Sequence, residues 1–245
     1  TKNEERNIER CLNSARWAAE TVVVDAHSTD RTRELAGRLG ARTFERDWPG
    51  YGSQRNFGIS KATQPWILSL DADEEVSAPL AQEIEATLAT EPVQSAFRVL
   101  RPTFFMGRPL AHYGRSPRDP GLIRLFRKDR GQFDGRLVHE GVEVTGEVGM
   151  FASPIHHYCY PDLRTYWHKI HFYAHLEAED RLSQGPVRGN GLVRAVGKLG
   201  WMLFWRRGLL DGPRAWLWIL GQAYQEWLVT MESARLRHRE RLHAS

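Results

Sequence analysis

Hydrophobic and polar positions follow two different periods along the first ninety residues. Ile8 and Leu12 recur at helical spacing behind Asn3. Asn3 reads as an N-cap, with Glu4 and Glu5 in a first turn where carboxylates complement the helix dipole. Thr21-Val22-Val23-Val24 is a β-branched run ending at Asp25, the profile of a strand buried on both faces. Ser28-Thr29-Asp30 forms a second cap cluster, from which Leu35 and Leu39 continue a helix. Residues 41–45 predict a strand and 53–62 a helix. Residues 66–70 predict a strand running into Asp71, and Ser77 caps a helix through Leu80, Ile84 and Leu88.

Strand–helix alternation of this kind predicts an α/β fold, with a mostly parallel open sheet and helices on both faces. Ligands of such sheets bind beyond the carboxyl ends of the strands, which puts Asp25 and Asp71 on one rim. After Pro92 the pattern changes to extended pieces at 96–101, 122–127 and 137–144, punctuated by Gly and Pro. From Asp162 onward it turns helical, over 163–182, 192–207 and 213–239. No internal repeat or low-complexity segment interrupts this order.

Composition adds a second division. Hydrophobic residues are 41% and charged residues 26%, which excludes a disordered chain. The net charge of +4 is uneven: residues 158–245 carry +5 and residues 1–157 carry −1. Six of the nine tryptophans also fall in the last third. The charge-free stretch 215–225 is too short to cross a bilayer, which takes about 20 apolar residues. Trp and Leu interleaved with Arg fit helices lying in a membrane interface; packing against the first domain or a partner is the other reading. Residues 1–157 are thus expected to form one domain and residues 158–245 a basic, Trp-rich helical extension. Cys11 and Cys159 make no metal-spaced pair and no disulfide framework, which fits a reducing compartment.

The chemistry concentrates at Asp71-Ala72-Asp73-Glu74. Two carboxylates with one residue between them, just past a buried strand, can hold Mg²⁺ or Mn²⁺ against a diphosphate. An ordinary acidic turn is the competing reading of these four residues alone. Four motifs occur in order: Thr1-Lys2-Asn3-Glu4-Glu5, Asp25-Ala26-His27-Ser28-Thr29-Asp30, Gln54-Arg55-Asn56 and Asp71-Ala72-Asp73-Glu74. In that order and spacing, residues 1–157 resemble the family 2 glycosyltransferases of GT-A (Rossmann-like) fold. Arg124-Leu125-Phe126-Arg127, Val138-His139-Glu140 and the basic helical tail are similar to the lipopolysaccharide-core β-1,4-glucosyltransferase subgroup. In that family the first strand ends in the segment matching residues 1–4, so the resemblance implies a slightly longer protein whose first strand precedes Thr1.

The resemblance also implies roles. Thr1, Asn3 and Glu4 would line the nucleotide pocket of a UDP-sugar. Asp25 would accept a hydrogen bond from the base, or else act as a helix-capping acid. Arg55 would contact the diphosphate; its alternative is a surface helix cation. Asp73 would bind the divalent metal, and Asp71 would contact ribose or share the ion. Inverting transfer needs a base for the acceptor hydroxyl. Glu140 is the candidate, with His139 orienting it or acting as base, and Glu143 the rival. Of His156 and His157 only one can face the site from an extended segment, and His157 matches the late metal ligand of GT-A enzymes. His168, His171 and His175 have roughly helical spacing and read as a polar helix face.

Taken together these residues predict an inverting transferase of a hexose, glucose by subgroup, to a membrane-associated acceptor. Lipopolysaccharide inner-core heptose is the subgroup's acceptor, and a polyprenyl phosphate would use a similar tail. The expected partners are a UDP-sugar and an anionic membrane surface, at the inner face of the bacterial inner membrane. A nucleotidyltransferase would carry a Gly-rich phosphate loop where Lys2-Asn3-Glu4-Glu5 stands. A degenerate membrane-surface adaptor would not need Asp71, Asp73 and Glu140. Nucleic acid is not an expected partner, because the charge excess is modest and no nucleic-acid module is present.

Overall fold

The computed structural model describes residues 1–110, 120–134, 141–183 and 189–243, with side chains to residue 237. In chain order its first elements are α1 (Ile8–Ser14), β1 (Val22–Asp25), α2 (Thr32–Arg38), β2 (Arg42–Glu45), α3 (Tyr51–Lys61), β3 (Trp66–Leu68), β4 (Glu74–Val76) and α4 (Ala78–Leu88). Strands then dominate: β5 (Ala96–Val99), β6 (Thr103–Phe105), β7 (Arg108–Pro109), β8 (Leu122–Arg127), β9 (Gly131–Phe133), β10 (Val142–Val144), β11 (Val148–Met150) and β12 (Ile155–Tyr160). The last part holds α5 (Leu163–Ser183), α6 (Gly191–Gly200), a π-helical turn (Trp201–Trp205), a 3₁₀ turn (Gly208–Asp211) and α7 (Gly212–His243). The chain forms two compact units, one of residues 1–103 and 120–159 and one of residues 104–110 and 160–243.

The first unit is α/β with open sheets. β1 and β2 are parallel, Val23 opposite Thr43. A second sheet has the order β11-β5-β8-β3. Within it β11 is parallel to β5, while β8 runs antiparallel to both β5 and β3. β4 pairs antiparallel with β12, and β9 with β10. Pairing is therefore more mixed than the alternation of residues 1–90 implies. The physical reason lies after Pro92, where no helical crossover separates successive strands, and short connections make antiparallel neighbours. Ser77 caps α4 as expected, its hydroxyl accepting from the Leu80 amide at 3.3 Å. Leu80 and Ile84 are fully buried against Val76, Phe97, Val99, Leu125 and Ile155. Burying a Leu or Ile of this kind contributes roughly 1.5–3 kcal/mol.

Asn3 does not cap α1. Its own amide donates to Ser28 Oγ at 2.8 Å, and the helix begins at Ile8, with the amides of Asn7 and Ile8 both donating to the Glu4 carbonyl at 2.9 Å. Hydroxyls brought in by the facing loop outcompete the local cap.

In the second unit Phe105 and Leu110 pack with Tyr166, Ile170, Met202 and Ile219. Residues 104–110, expected in the first domain, thus share the core of the helices, because Phe105 is fully buried there. The expected helix over 192–207 is α6 followed by a π turn. At Gly208 a side chain would collide with Ile219 and with the Met202 carbonyl, so only glycine lets the chain turn back onto α7. Among the described residues no helix is long and apolar enough to cross a membrane.

Candidate active site

The rim begins where β1 ends. Thr1 donates its amino group to the Val24 carbonyl at 2.6 Å and accepts from the Ala26 amide at 2.8 Å, so it stands opposite Asp25 in a parallel ladder. Residues 1–5 and 28–32 are then laced reciprocally. Asn3 and Glu4 donate their amides to the Ser28 and Thr32 hydroxyls, each at 2.8 Å. In return Thr29 donates to Asn3 Oδ1 at 2.8 Å and Arg31 to Glu5 Oε2 at 3.2 Å. Asn3 and His27 both take left-handed backbone conformations, with φ of 53° and 56°, a strain sustained by this lacing. Thr1, Asn3, Glu4 and Asp25 are thus brought together.

Asp25 is fully buried, and its carboxylate accepts from the Ser28 amide at 2.7 Å and the Ser28 hydroxyl at 2.5 Å. In this arrangement it anchors the turn after β1 and caps no helix, since α2 begins only at Thr32 with Arg31 at its N-cap position. Asp25, Glu4, Asp71 and Arg55 all act electrostatically on the position of the Thr1 nitrogen, so these side chains share one locality.

Asp71 follows β3 on the same rim. Arg55 Nη2 meets Asp71 Oδ1 at 2.5 Å, while Oδ2 receives Arg124 at 3.1 Å and Arg101 at 3.5 Å. Arg101 also meets Glu74 Oε1 at 3.0 Å, and Arg124 donates a short hydrogen bond to the same oxygen. The remaining Glu74 oxygen accepts from the Asp71 amide at 2.9 Å, closing the turn. Burial works to raise the Asp71 pKa, but the guanidiniums of Arg124, Arg55 and Arg101 hold it well below the usual carboxylate range. Burial pushes the Glu74 carboxyl up against the pull of Arg124.

Arg55 is aimed by its neighbours. The Asn56 amide group donates to the Phe133 carbonyl and accepts from the Phe133 amide, both at 2.9 Å, clamping α3 to β9. A side chain at Gly52 would strike the Asp134 carbonyl, so glycine is needed for this approach. Arg55 then lies 5.0 Å over the Phe133 ring on its way to Asp71.

Arg101, Arg124 and the anchoring use of Glu74 were not among the sequence-predicted site residues. A signal was present: Arg124 interrupts the apolar run Leu122-Ile123-Arg124-Leu125-Phe126, and a cation within a buried strand requires a buried partner.

Asp73 and His157 form a separate pair, Oδ1 to Nε2 at 3.5 Å, on side chains only 12% and 16% exposed. The Tyr158 amide donates to the Asp73 carbonyl at 2.8 Å, which ties the turn to β12. Among the described residues His157 Nδ1 is buried with no hydrogen-bond partner. His156 instead packs edge-on to Tyr158, ring centroids 6.3 Å apart.

A carboxylate oxygen and an imidazole nitrogen suit Mn²⁺, or Mg²⁺ with added oxygen ligands, and a substrate diphosphate with waters would complete the shell. Both Asp71 oxygens are engaged by arginines, and among the described residues no group of three or more His, Cys, Asp and Glu forms a metal cage. The residues present therefore fit a cation held by two protein groups.

His139 and Glu140 lie outside the described residues. Glu143 is exposed on β10, opposite Gln132 of β9, and reads as a solvated strand carboxylate. On α5, His175 lies 3.3 Å from Glu232 and 3.4 Å from Glu179, while His171 packs edge-on to Trp167. Cys11 and Cys159 are buried and not disulfide-bonded. Burial, reinforced by the nearby Glu74, Asp71 and Asp73 carboxylates, raises the Cys11 thiol to about 12, which leaves it inert.

The sequence profile described as glycosyl transferase family 2 matches residues 1–145, and the chain belongs to that family. It is therefore a glycosyltransferase, an α/β protein with open sheets and a helical C-terminal region. An uncharacterized glycosyltransferase of Rickettsia typhi is 30% identical over 206 residues, 78% of this chain and 68% of that protein. One from Rickettsia bellii is 29% identical over 220 residues, 83% of this chain and 72% of its own length. The lipopolysaccharide core biosynthesis glycosyltransferase LpsC of Rhizobium meliloti is 33% identical over 156 residues, 60% of this chain and 56% of LpsC. Among solved structures, S. aureus TarS 1–349 aligns over 97% of this chain and 89% of that one at 12% identity and a TM-score of 0.46.

Proposed function

We propose that this glycosyltransferase moves a hexose, glucose, with inversion from a UDP-sugar to a heptose of the lipopolysaccharide inner core. The reaction takes place at the inner face of the bacterial inner membrane. One observation carries the reading: Arg55 with Asp71, and Asp73 with His157, stand beside the laced loops of residues 1–5 and 28–32 at the carboxyl ends of β1 and β3. In this reading the loops take the nucleoside, with Asp25 presented to the base once the Ser28 contact yields. Arg55 exchanges its Asp71 partner for the diphosphate, and Asp71 stays with Arg101 and Arg124. Asp73 and His157 would hold Mg²⁺ or Mn²⁺, which would supply positive charge against the diphosphate of the donor. Glu140, oriented by His139, takes the proton of the acceptor hydroxyl as that oxygen bonds to the anomeric carbon and UDP leaves from the opposite face. LpsC, named for lipopolysaccharide core biosynthesis, supports the acceptor class.

The helical unit supplies the membrane contact in this reading. Trp201, Phe204 and Trp205 are exposed, and Arg206, Arg207 and Arg214 lie in the same stretch against Asp211, while Arg194 and Lys198 are taken by Glu226.

Isothermal titration of UDP with and without Mn²⁺ tests the donor site. Metal-dependent binding is expected, lost in Asp73→Ala together with transfer, which should fall roughly 10³-fold for about 4 kcal/mol of missing charge stabilisation. Undiminished UDP binding and turnover by Asp73→Ala would remove the metal from the proposal.

A further inference from the structure

Three guanidiniums converge on Asp71 and Glu74, and two of them meet the same oxygens. Arg124 and Arg101 both reach Asp71 Oδ2 and Glu74 Oε1. Their settings differ. The Arg124 side chain is 4% exposed and that of Arg101 is 29% exposed. Arg124 also acts more strongly than Arg101 on the ionisation of both carboxyls. Arg124 thus neutralises the buried charge, a task for which a second guanidinium on the same oxygens is redundant.

Topology says where the second cation stands. β3 and β5 both run antiparallel to β8, so they point the same way. Asp71 follows β3 and Arg101 follows β5, which puts both at the edge of the sheet where ligands collect. The backbone on either side of Arg101 is fixed. The Leu100 carbonyl accepts from the Ile155 amide at 3.0 Å, and the Pro102 carbonyl from the His157 amide at 3.1 Å. The strand that carries His157 therefore also holds Arg101, and the following proline favours an extended backbone there. Arg101 gives only Nη1 to the carboxylates, and among the described residues no hydrogen bond engages its Nη2 or Nε. A guanidinium carries several N–H donors in a planar fork that matches phosphate as well as carboxylate. Arg55 holds the other oxygen of Asp71. Two guanidiniums that grip one carboxylate from its two oxygens have a spacing that also suits two oxygens of one phosphoryl group.

We infer that Arg101 is a second diphosphate-binding residue of the donor site. Its Nη1 stays on Glu74 and Asp71, while its remaining N–H groups take an oxygen of the diphosphate beside Arg55. The inference rests on the UDP-sugar reading above and adds to it a residue from beyond β5. Arg55 changes partner when the donor binds, whereas Arg101 is already held in place by the turn it serves.

The test uses the full chain and two probes. UDP is titrated calorimetrically in the presence of Mn²⁺, and uridine binding is followed by ligand-observed NMR. Uridine has the base and ribose without phosphate, so it separates a phosphate contact from upkeep of the pocket. Arg101→Met is expected to weaken UDP binding at least about tenfold and to leave uridine binding unchanged. Arg101→Lys keeps the charge on one nitrogen, which cannot serve carboxylates and phosphate together, so UDP affinity should still fall at least about threefold. This second variant carries the test if Arg101→Met does not fold. Wild-type UDP affinity in either folded variant overturns the role of Arg101 and leaves the donor reading standing. A loss of uridine affinity as large as that of UDP also overturns it, since Arg101 would then support the pocket rather than the phosphate. Failure of the wild-type chain to bind UDP overturns the donor reading and the inference with it.

Discussion

The two units each gather arginines around buried carboxylates, and the difference between the clusters separates a site from a clasp. In the α/β unit Arg55 from α3, Arg101 from beyond β5 and Arg124 from β8 converge on Asp71 and Glu74, which flank a single turn. In the helical unit three cations again meet two carboxylates: Glu226 of α7 receives Arg181 of α5 at 2.8 Å, Arg194 of α6 at 2.8 Å and Lys198 at 3.7 Å, and Arg181 also meets Glu177 one turn back on α5 at 2.6 Å. Burial opposes the charge of Glu226, but its hydrogen bonds from Arg181 and Arg194 hold its pKa down at about 2. The Arg181 guanidinium is pushed up chiefly by Glu226, so the two partners agree in direction. Glu226 ties three helices through one point and touches no candidate chemistry. The Asp71–Glu74 cluster instead fixes the turn that carries Asp73, so its geometry is transmitted to a prospective ligand.

Arg124→Met breaks that comparison most severely. Glu74 is fully buried and Arg124 nearly so, and removing one partner of a buried pair costs about 3–5 kcal/mol. Urea unfolding followed by near-UV circular dichroism should register this loss, with UDP affinity falling as the turn loosens. A variant of wild-type stability would mean that Arg101 alone satisfies both carboxylates.

Glu226→Gln comes next. A pKa held from 4.5 to about 2 corresponds to roughly 3 kcal/mol at neutral pH. The sign follows from the depressed value. The contribution is complete above pH 4.5, where the unfolded carboxyl is also ionised, and drains away as pH falls from there toward 2. Hydrogen exchange of α5 and α7 should therefore accelerate over that window in the native protein, and Glu226→Gln should flatten the response. UDP binding unaffected by this variant sharpens the contrast with Arg124→Met; a parallel loss would erase it.

Ser77→Ala is the smallest. Losing an N-cap costs about 1 kcal/mol and touches neither cluster. Its melting shift sets the baseline against which the other two are read, and a shift as large as that of Glu226→Gln would show that charge clusters hold no special place in this fold.

Much of the fold was legible where one local rule acted alone. Ser77 followed by Leu80 and Ile84 announces α4, and Val22 to Asp25 announces β1 with its carboxylate at the rim. Asp71 lies just beyond the strand that the pattern of residues 66–70 announces, but its pairing with Arg55 of α3 was not expected. Asn3 was misread because its cap signal competes with Ser28, Thr29 and Thr32 from a loop 25 or more residues away. The break of the long helix after Gly200 also escaped periodicity, since a π turn keeps an apolar pattern while changing which side chains face outward.

By itself, then, the amino-acid order determined most elements of residues 8–88, the family and the positions of the acidic motif, because caps, periods and motifs are short-range properties of neighbouring residues. Only the tertiary structure decided how those charges are shared. Asp71 goes to three arginines and Asp73 to His157, because a guanidinium from β8, another from beyond β5 and an imidazole from β12 reach the turn only once the strands have paired. The preference of a buried carboxylate for a cation is written in its chemistry, but which cation arrives is a matter of long-range geometry.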